Sequence, residues 1–219
     1  DIIWYWHAKC WKAKENYDYV ISLAYPPVSH KLAETLLKSK KLLAQRWIQI
    51  WEDPWYEDIF GLCHNDKVKK EEGRLLEMSD IVYYVSPLTL LYQRKEFPEF
   101  ANKMKWHPLP SYYKRELTSV NFDTLVFGYF GDYSPNIRNL KSFYNVALKM
   151  GLKVNICGNS SLRLQSKKFV NVYPRMGLKE LEAYEKQTNV LVFICNLMGG
   201  QIPGKIYQYA ATNKLVLFI

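Results

Sequence analysis

The chain has 219 residues, 48% of them apolar and 23% charged, with a formal net charge of +9. That balance supplies a core and excludes a disordered chain, and no apolar run approaches the roughly 20 residues of a membrane span. The excess of lysine and arginine points to anionic partners: nucleotide phosphates, an acidic membrane surface or nucleic acid.

In chain order, Tyr17–Ala24 (YDYVISLA) is the first strand, followed by a loop at Tyr25–Ser29 and a helix from about His30 to Lys38. Arg46–Trp51 (RWIQIW) is a second strand, ending at Glu52-Asp53-Pro54-Trp55. A helix over about Asp66–Met78, a strand at Ile81–Ser86 and a helix from about Pro87 to Tyr92 follow, and Phe97–Pro110 reads as extended, punctuated by prolines. A second block begins with the strand Thr124–Tyr129, which runs into FGDYSPN. It continues with a helix from about Asn139 to Met150, strands at Lys153–Cys157 and Phe169–Tyr173, and a helix at Leu178–Gln187. Strands alternating with helices predict right-handed crossovers and mainly parallel sheets, hence an α/β protein of two Rossmann-like domains, residues 1–118 and 119–219. Both domains read as half-complete, and no internal repeat is legible.

The closing stretch Asn189–Ile219 carries the most chemistry. Val190–Cys195 is a buried-strand run, Gly199, Gly200, Pro203 and Gly204 break it, and Lys205–Thr212 is compatible with a helix before the last strand at Leu215–Ile219. A glycine loop entering a helix at the carboxyl edge of a parallel sheet presents backbone N–H groups to an anion, and Lys205 adds a point charge. The same glycines also suit a tight strand-to-helix turn without a ligand.

The four cysteines, Cys10, Cys63, Cys157 and Cys195, are far apart and lack CxxC spacing. That argues against a disulfide framework or a zinc site and favours a reducing compartment, with Cys157 and Cys195 acting as small apolar residues in or beside buried strands. His7, His64 and His107 show no ligand spacing, so no metal site is expected. Lys38–Lys41 and Lys67–Lys70 read as solvated helical faces.

The segment IPGKIYQYAATNKLVLFI, from Ile202 to Ile219, resembles the donor-site stretch of the large retaining family of GT-B nucleotide-sugar glycosyltransferases. FGYFGDYSPNIRNLKSFYNVA, Phe127 to Ala147, is similar to the opening strand and loop of that family's donor domain, and the order YDYVISLAYPPVSH, WIQIWEDPW, EEGRLLEMSDIVYYVS to the later half of its acceptor domain. The resemblance implies a cytoplasmic transferase that moves a sugar from a nucleotide-diphosphate donor to a polysaccharide or lipid-linked glycan, with no cofactor and no metal, and the net charge of +9 fits one that sits on an anionic inner membrane face. Arg138, Lys205, Gly131, Gly199 and Gly200 then bind the donor, the two cations stabilising the leaving diphosphate. Gln208 stands where the family holds the ribose with an acid and can give and accept a hydrogen bond without charge, and the family's partner acid falls at Gly200. On the acceptor side Asp53 is the candidate base, or an orienting carboxylate, at the end of its strand, with Trp55 stacking on a sugar and Ser29 in the neighbouring loop. Asp53 as a turn cap and Trp55 as a core residue are the structural alternatives. The competing function is a non-catalytic nucleotide-sugar or glycan-binding module of the same fold. A nucleic-acid binder ranks last, since no such motif is present.

Overall fold

The computed structural model describes residues 2–24, 27–109 and 124–219. The chain divides into two compact units, Asp1–Pro108 with Gly199–Gln201, and Leu109–Met198 with Ile202–Ile219. The boundary expected at 118/119 lies outside the described residues.

The first unit contains helix α1 (Ile2–Ala8), strand β1 (Asn16–Ala24), α2 (Val28–Lys38), β2 (Leu43–Trp51), α3 (Asp66–Met78), β3 (Ile81–Tyr84), α4 (Pro87–Glu96) and β4 (Met104–Trp106). The second contains β5 (Val126–Phe130), α5 (Lys141–Met150), β6 (Lys153–Cys157), β7 (Val170–Tyr173), α6 (Leu178–Gln187), β8 (Val190–Phe193), α7 (Lys205–Ala210) and β9 (Leu215–Phe218). Both sheets are wholly parallel, in the order β1-β2-β3-β4 and β7-β6-β5-β8-β9. The protein is therefore α/β with two Rossmann-like domains.

Local chemistry sets several element ends. Asn65 caps α3, its side chain accepting from the Val68 N–H at 3.1 Å, and Ser86 caps α4 with Pro87 in the first turn. Gly151, at φ +67, ends α5 in the left-handed conformation that glycine adopts without strain. Three expectations are corrected, and one element is added. The segment Phe97–Pro110, read as extended, forms a 3₁₀ turn at Pro98–Lys103 and then the short strand β4. α4 continues to Glu96, beyond Tyr92. β8 stops at Phe193, so Cys195 is exposed, not part of the buried strand. α1 had no counterpart in the sequence reading.

The strand orders decide which faces are covered. In the first unit three right-handed crossovers step in one direction, so α2, α3 and α4 fall on one face. The single core follows: Ala24, Trp47, Trp51, Val82 and Tyr84 of the sheet pack on Ala33, Leu75, Leu76 and Leu90 of the helices. By alternation and register the opposite face carries Tyr19, Ile21, Leu23, Ile48, Ile50 and Tyr83, and Ile21 and Leu23 are exposed. In the second unit the chain steps from β5 to β6 to β7 and then returns across β5 to β8. That reversal places α6 and α7 on the face opposite α5. Two cores result, one with Leu140, Phe143 and Ala147 against Tyr129, Val154 and Ile156, the other with Tyr209 against Phe130, Cys157, Leu191 and Phe193.

Although no repeat is legible in the sequence, the units repeat one device. Ser79-Asp80 precedes β3 and Thr188-Asn189 precedes β8. The Asp80 side chain accepts from the Trp47 N–H at 2.7 Å and Asn189 from the Val126 N–H at 2.8 Å, while their own N–H groups donate to Trp47 and Val126 carbonyls. Ahead of the next strand, β4 or β9, stands a lysine that caps the helix preceding β3 or β8, namely α3 or α6. Lys103 Nζ donates to the Glu77 and Ser79 carbonyls at 2.8 and 2.7 Å; Lys214 Nζ donates to Glu185 and, at 2.6 Å, to Thr188. A cation at a helix C-terminus satisfies orphan carbonyls and opposes the negative end of the dipole. Lys214 is buried, so Lys214→Met should cost about 2 kcal/mol, within the range for stranding buried acceptors. Lys103→Met, at a more exposed site, should cost about half that; denaturant titration measures both, and equal stability of wild type and Lys214→Met would remove the cap.

Candidate functional site

In an open parallel sheet, ligands bind where the strand order reverses, at the carboxyl ends of the strands flanking the reversal. Among the described residues the first sheet contains no reversal; the second has one, between β5 and β8. The loops leaving those two strands are joined there by Arg138. Its Nε donates to Asn196 Oδ1 at 2.8 Å and its Nη1 lies 3.4 Å from the Asp132 carbonyl oxygen. The Leu197 N–H donates to the Ile137 carbonyl at 2.8 Å and closes the same junction.

The loops after β6 and β7 join this edge through Asp132. Asp132 Oδ1 accepts from the Asn159 N–H at 2.9 Å, and Oδ2 lies 3.2 Å from Nη1 of Arg175, whose N–H donates to Asn159 Oδ1 at 3.3 Å. Four loop ends are thus stitched by Arg138, Asn196, Asp132, Asn159 and Arg175. Two guanidinium groups against one carboxylate leave the edge positive, and each offers a planar fork of the kind that binds phosphate oxygens in pairs.

Gly131 lies in this edge, but its amide is committed to the Cys157 carbonyl at 2.9 Å. Its role is close approach: a Cβ on Gly158 would stand 1.9 Å from the Gly131 oxygen. Lys205 and Gln208 sit on α7 of the same unit. Lys205 Nζ lies 3.7 Å from Glu185 Oε1, and Gln208 is exposed. The two cations expected to share one diphosphate therefore face different partners, Arg138 the β5–β8 junction and Lys205 a carboxylate of α6.

Gly199 and Gly200 belong to the first unit. Gly199 has φ +81, and Gly200 packs on the first turn of α4, where an added Cβ would lie 2.7 Å from the Thr89 nitrogen. Ser86 Oγ donates to the Gly200 carbonyl at 2.5 Å while accepting from the Thr89 N–H at 3.4 Å. Beside this contact is a cavity of about 320 Å³, lined by Glu57, Thr89, Tyr92, Gln93, Glu96 and Gly200 among others. Thr89 Oγ1 and Gln93 Nε2 are buried there without a hydrogen-bond partner among the described residues. Gln93 Oε1 accepts from the Tyr84 hydroxyl at 3.2 Å. A stranded amide donor and hydroxyl are costly unless a ligand or water satisfies them.

Asp53 follows β2 and is half-buried; burial, and after it the Asp53 charge, raise the pKa of neighbouring Glu52. Pro54, the next residue, lines the cavity. Trp55 packs against the core edge, with Lys31 Nζ 4.4 Å from its ring centroid. Ser29 lies in the first turn of α2 and donates to the Leu23 carbonyl, so its hydroxyl is spent within the fold. His30 is fully buried, its ring tilted against Trp51 at 4.2 Å between centroids and its Nδ1 2.7 Å from Ser22 Oγ, and burial lowers its pKa to about 3.

Asp132, Arg175 and Asn196 gave no signal in the sequence, because three strand-end loops have to be aligned before they meet. Thr89 and Gln93 lie four residues apart on α4, a spacing that shares a helix face, but the helix expected from the sequence ends at Tyr92, before Gln93. No protein-family model matches the chain, and no curated protein matches it.

Proposed function

We propose that the second unit binds the diphosphate of a nucleotide sugar at the carboxyl edge between β5 and β8, and that the protein is a metal-independent glycosyltransferase of the GT-B kind. The observation that carries this is Arg138, a half-buried guanidinium fixed across the reversal of the strand order by Asn196 and Asp132. Charge that grows on a departing diphosphate is stabilised by cations held in place beforehand, which lowers the barrier without a metal. Arg175 supplies a second fork; Lys205 would add a third cation on leaving Glu185.

The acceptor is a polysaccharide or lipid-linked glycan. The first-unit cavity supports that chemistry: Gln93 and Thr89 have hydrogen-bonding capacity to spare, Glu57 and Glu96 accept from hydroxyls, and Tyr92 offers a ring face for a sugar. Asp53 would take or orient the acceptor proton.

Thermal unfolding with UDP, GDP, ADP and CMP, with and without magnesium, tests the donor site. One nucleotide diphosphate should raise the midpoint without metal, by mass action on the folded state. Arg138→Ala should then weaken that nucleotide about 10- to 150-fold, equivalent to about 1.5–3 kcal/mol for a hydrogen bond to a charged group. An affinity unchanged by Arg138→Ala would remove the junction from the site. A non-catalytic nucleotide-sugar module is the second reading, favoured by the uncharged, exposed Gln208. Binding of the intact nucleotide sugar with neither hydrolysis nor transfer to any glycan would select it.

A further inference from the structure

α1 (IIWYWHA) is rich in exposed apolar and aromatic side chains. Tyr5 sets the orientation of this helix, its hydroxyl lying 2.8 Å from Thr35 Oγ1 of α2. At 3.6 residues per turn, Ile3 and His7 then lie opposite Tyr5, with Trp4 and Trp6 on its two flanks. Ile3 is 76% exposed, Trp4 52%, Trp6 56% and, just beyond the helix, Trp11 52%. Three indoles and an aliphatic chain left in water on so short a segment mark an interaction surface.

The charge around this surface is positive. Lys9 Nζ sits 3.0 Å from the Trp6 ring centroid, and Lys12 and Lys14 are exposed. Lys41 Nζ donates to the Lys9 carbonyl at 2.8 Å, and the Ala13 N–H donates to the Lys41 carbonyl at 2.8 Å. These two bonds hold Lys9, Lys12 and Lys14 beside Lys38, Lys40 and Lys41, the cluster that sequence alone assigns to a solvated face. Lys38 is paired with Glu34 at 2.7 Å. The nearest acids along the chain after α1 are Glu15 and Asp18, the latter hydrogen-bonded to Gln45 at 2.9 Å.

We propose that α1 and the Lys9–Lys14 segment, with Lys38–Lys41, dock the protein on an anionic lipid bilayer. Trp4, Trp6 and Trp11 lie at the headgroup level, where an indole keeps its ring in apolar surroundings and its N–H wet, and the lysines face the anionic headgroups. Ile3 decides against nucleic acid as the partner: bases stack on aromatic rings, and an aliphatic chain gains nothing from stacking. This surface belongs to the first unit and the nucleotide site to the second, and the proposal does not rest on that site.

Vesicles of phosphatidylcholine alone and mixed with phosphatidylglycerol test the proposal on the whole chain. Co-sedimentation with the anionic vesicles, a shift of tryptophan emission to shorter wavelength and weakening by salt are expected, with little binding to the neutral ones. Lys9→Glu/Lys12→Glu/Lys14→Glu should lower the partition coefficient at least about a hundredfold, at about fivefold per lysine. Trp4→Ser/Trp6→Ser should lower it with the far-ultraviolet circular dichroism unchanged, since both side chains are exposed. Equal binding to neutral and anionic vesicles, or a charge-reversed protein that binds like wild type, overturns the proposal. Polyuridylate that displaces the protein from vesicles at equal charge concentration also overturns it, in favour of a nucleic-acid surface.

Discussion

Gly158→Ala should lower the unfolding midpoint of the second unit by more than about 10 °C. The added Cβ would stand 1.9 Å from the Gly131 oxygen and 2.5 Å from its carbonyl carbon. Both atoms are backbone and cannot rotate away, so the loops after β5 and β6 would have to separate. Overpacking costs about 1–3 kcal/mol where side chains can give, and a fixed carbonyl puts this site at the top of that range. About 4–8 °C are lost per kcal/mol in a domain of roughly 100 residues. The same displacement would pull Asp132 from the Asn159 N–H and disturb the edge that Arg138 spans, so nucleotide binding should fall with stability. Gly177→Ala is the control, since a Cβ there meets nothing within 4 Å among the described residues. A Gly158→Ala protein as stable as Gly177→Ala would mean that the two loops are not in contact.

The sequence foretold the alternation of strands and helices because the units are built from long periodic segments between glycine, proline and asparagine stops. α3, β6 and α6 fall on the residues the periodicity marks. α1 escaped because Ile, Trp and Tyr favour strands; packing of Tyr5 on α2 holds it helical. The repeat between the units escaped because its strands exchange Ile, Val, Tyr and Phe freely, and what persists is a few polar side chains, Asp80 with Lys103 and Asn189 with Lys214, whose roles emerge only when strands pair. The candidate site was legible to the same extent. Arg138 stands out as a basic residue in the turn after a strand, whereas Asp132, Arg175 and Asn196 become its neighbours only through the strand order. The glycines at 199 and 200 suggest N–H groups offered to a phosphate; the fold adds a left-handed φ at Gly199 and a close approach of Gly200 to α4, which the sequence does not reveal.

Two buried ionisable groups in the first unit should give its stability a plateau between about pH 4.5 and 6.5, falling on either side. Glu72 is fully buried; burial raises its pKa from 4.5 to about 8, even though its Oε2 accepts from the Tyr56 N–H at 2.6 Å. Between those values the folded state keeps a proton that the unfolded state has lost, so the stabilisation, complete below pH 4.5, drains away as pH rises to 8. His30 behaves in the opposite sense. Burial lowers its pKa from 6.5 to about 3, so between those values the unfolded state binds the extra proton, and stability is lost as pH falls. Each group contributes a slope of about 1.4 kcal/mol per pH unit, of opposite sign, and the two cancel where their windows overlap. From pH 6.5 to 8 only Glu72 acts, for a loss of about 2 kcal/mol. Glu72→Gln should therefore hold its stability through that range while the wild type declines. His30→Phe should lose the acid limb and decline steadily from pH 4.5 upward. Denaturant midpoints of the three proteins, compared pairwise at each pH, isolate these two groups from the rest of the titration. A wild-type-minus-variant difference for Glu72→Gln that stays constant from pH 6.5 to 8 would mean that Glu72 is ionised in the fold, as an ordinary carboxylate would be.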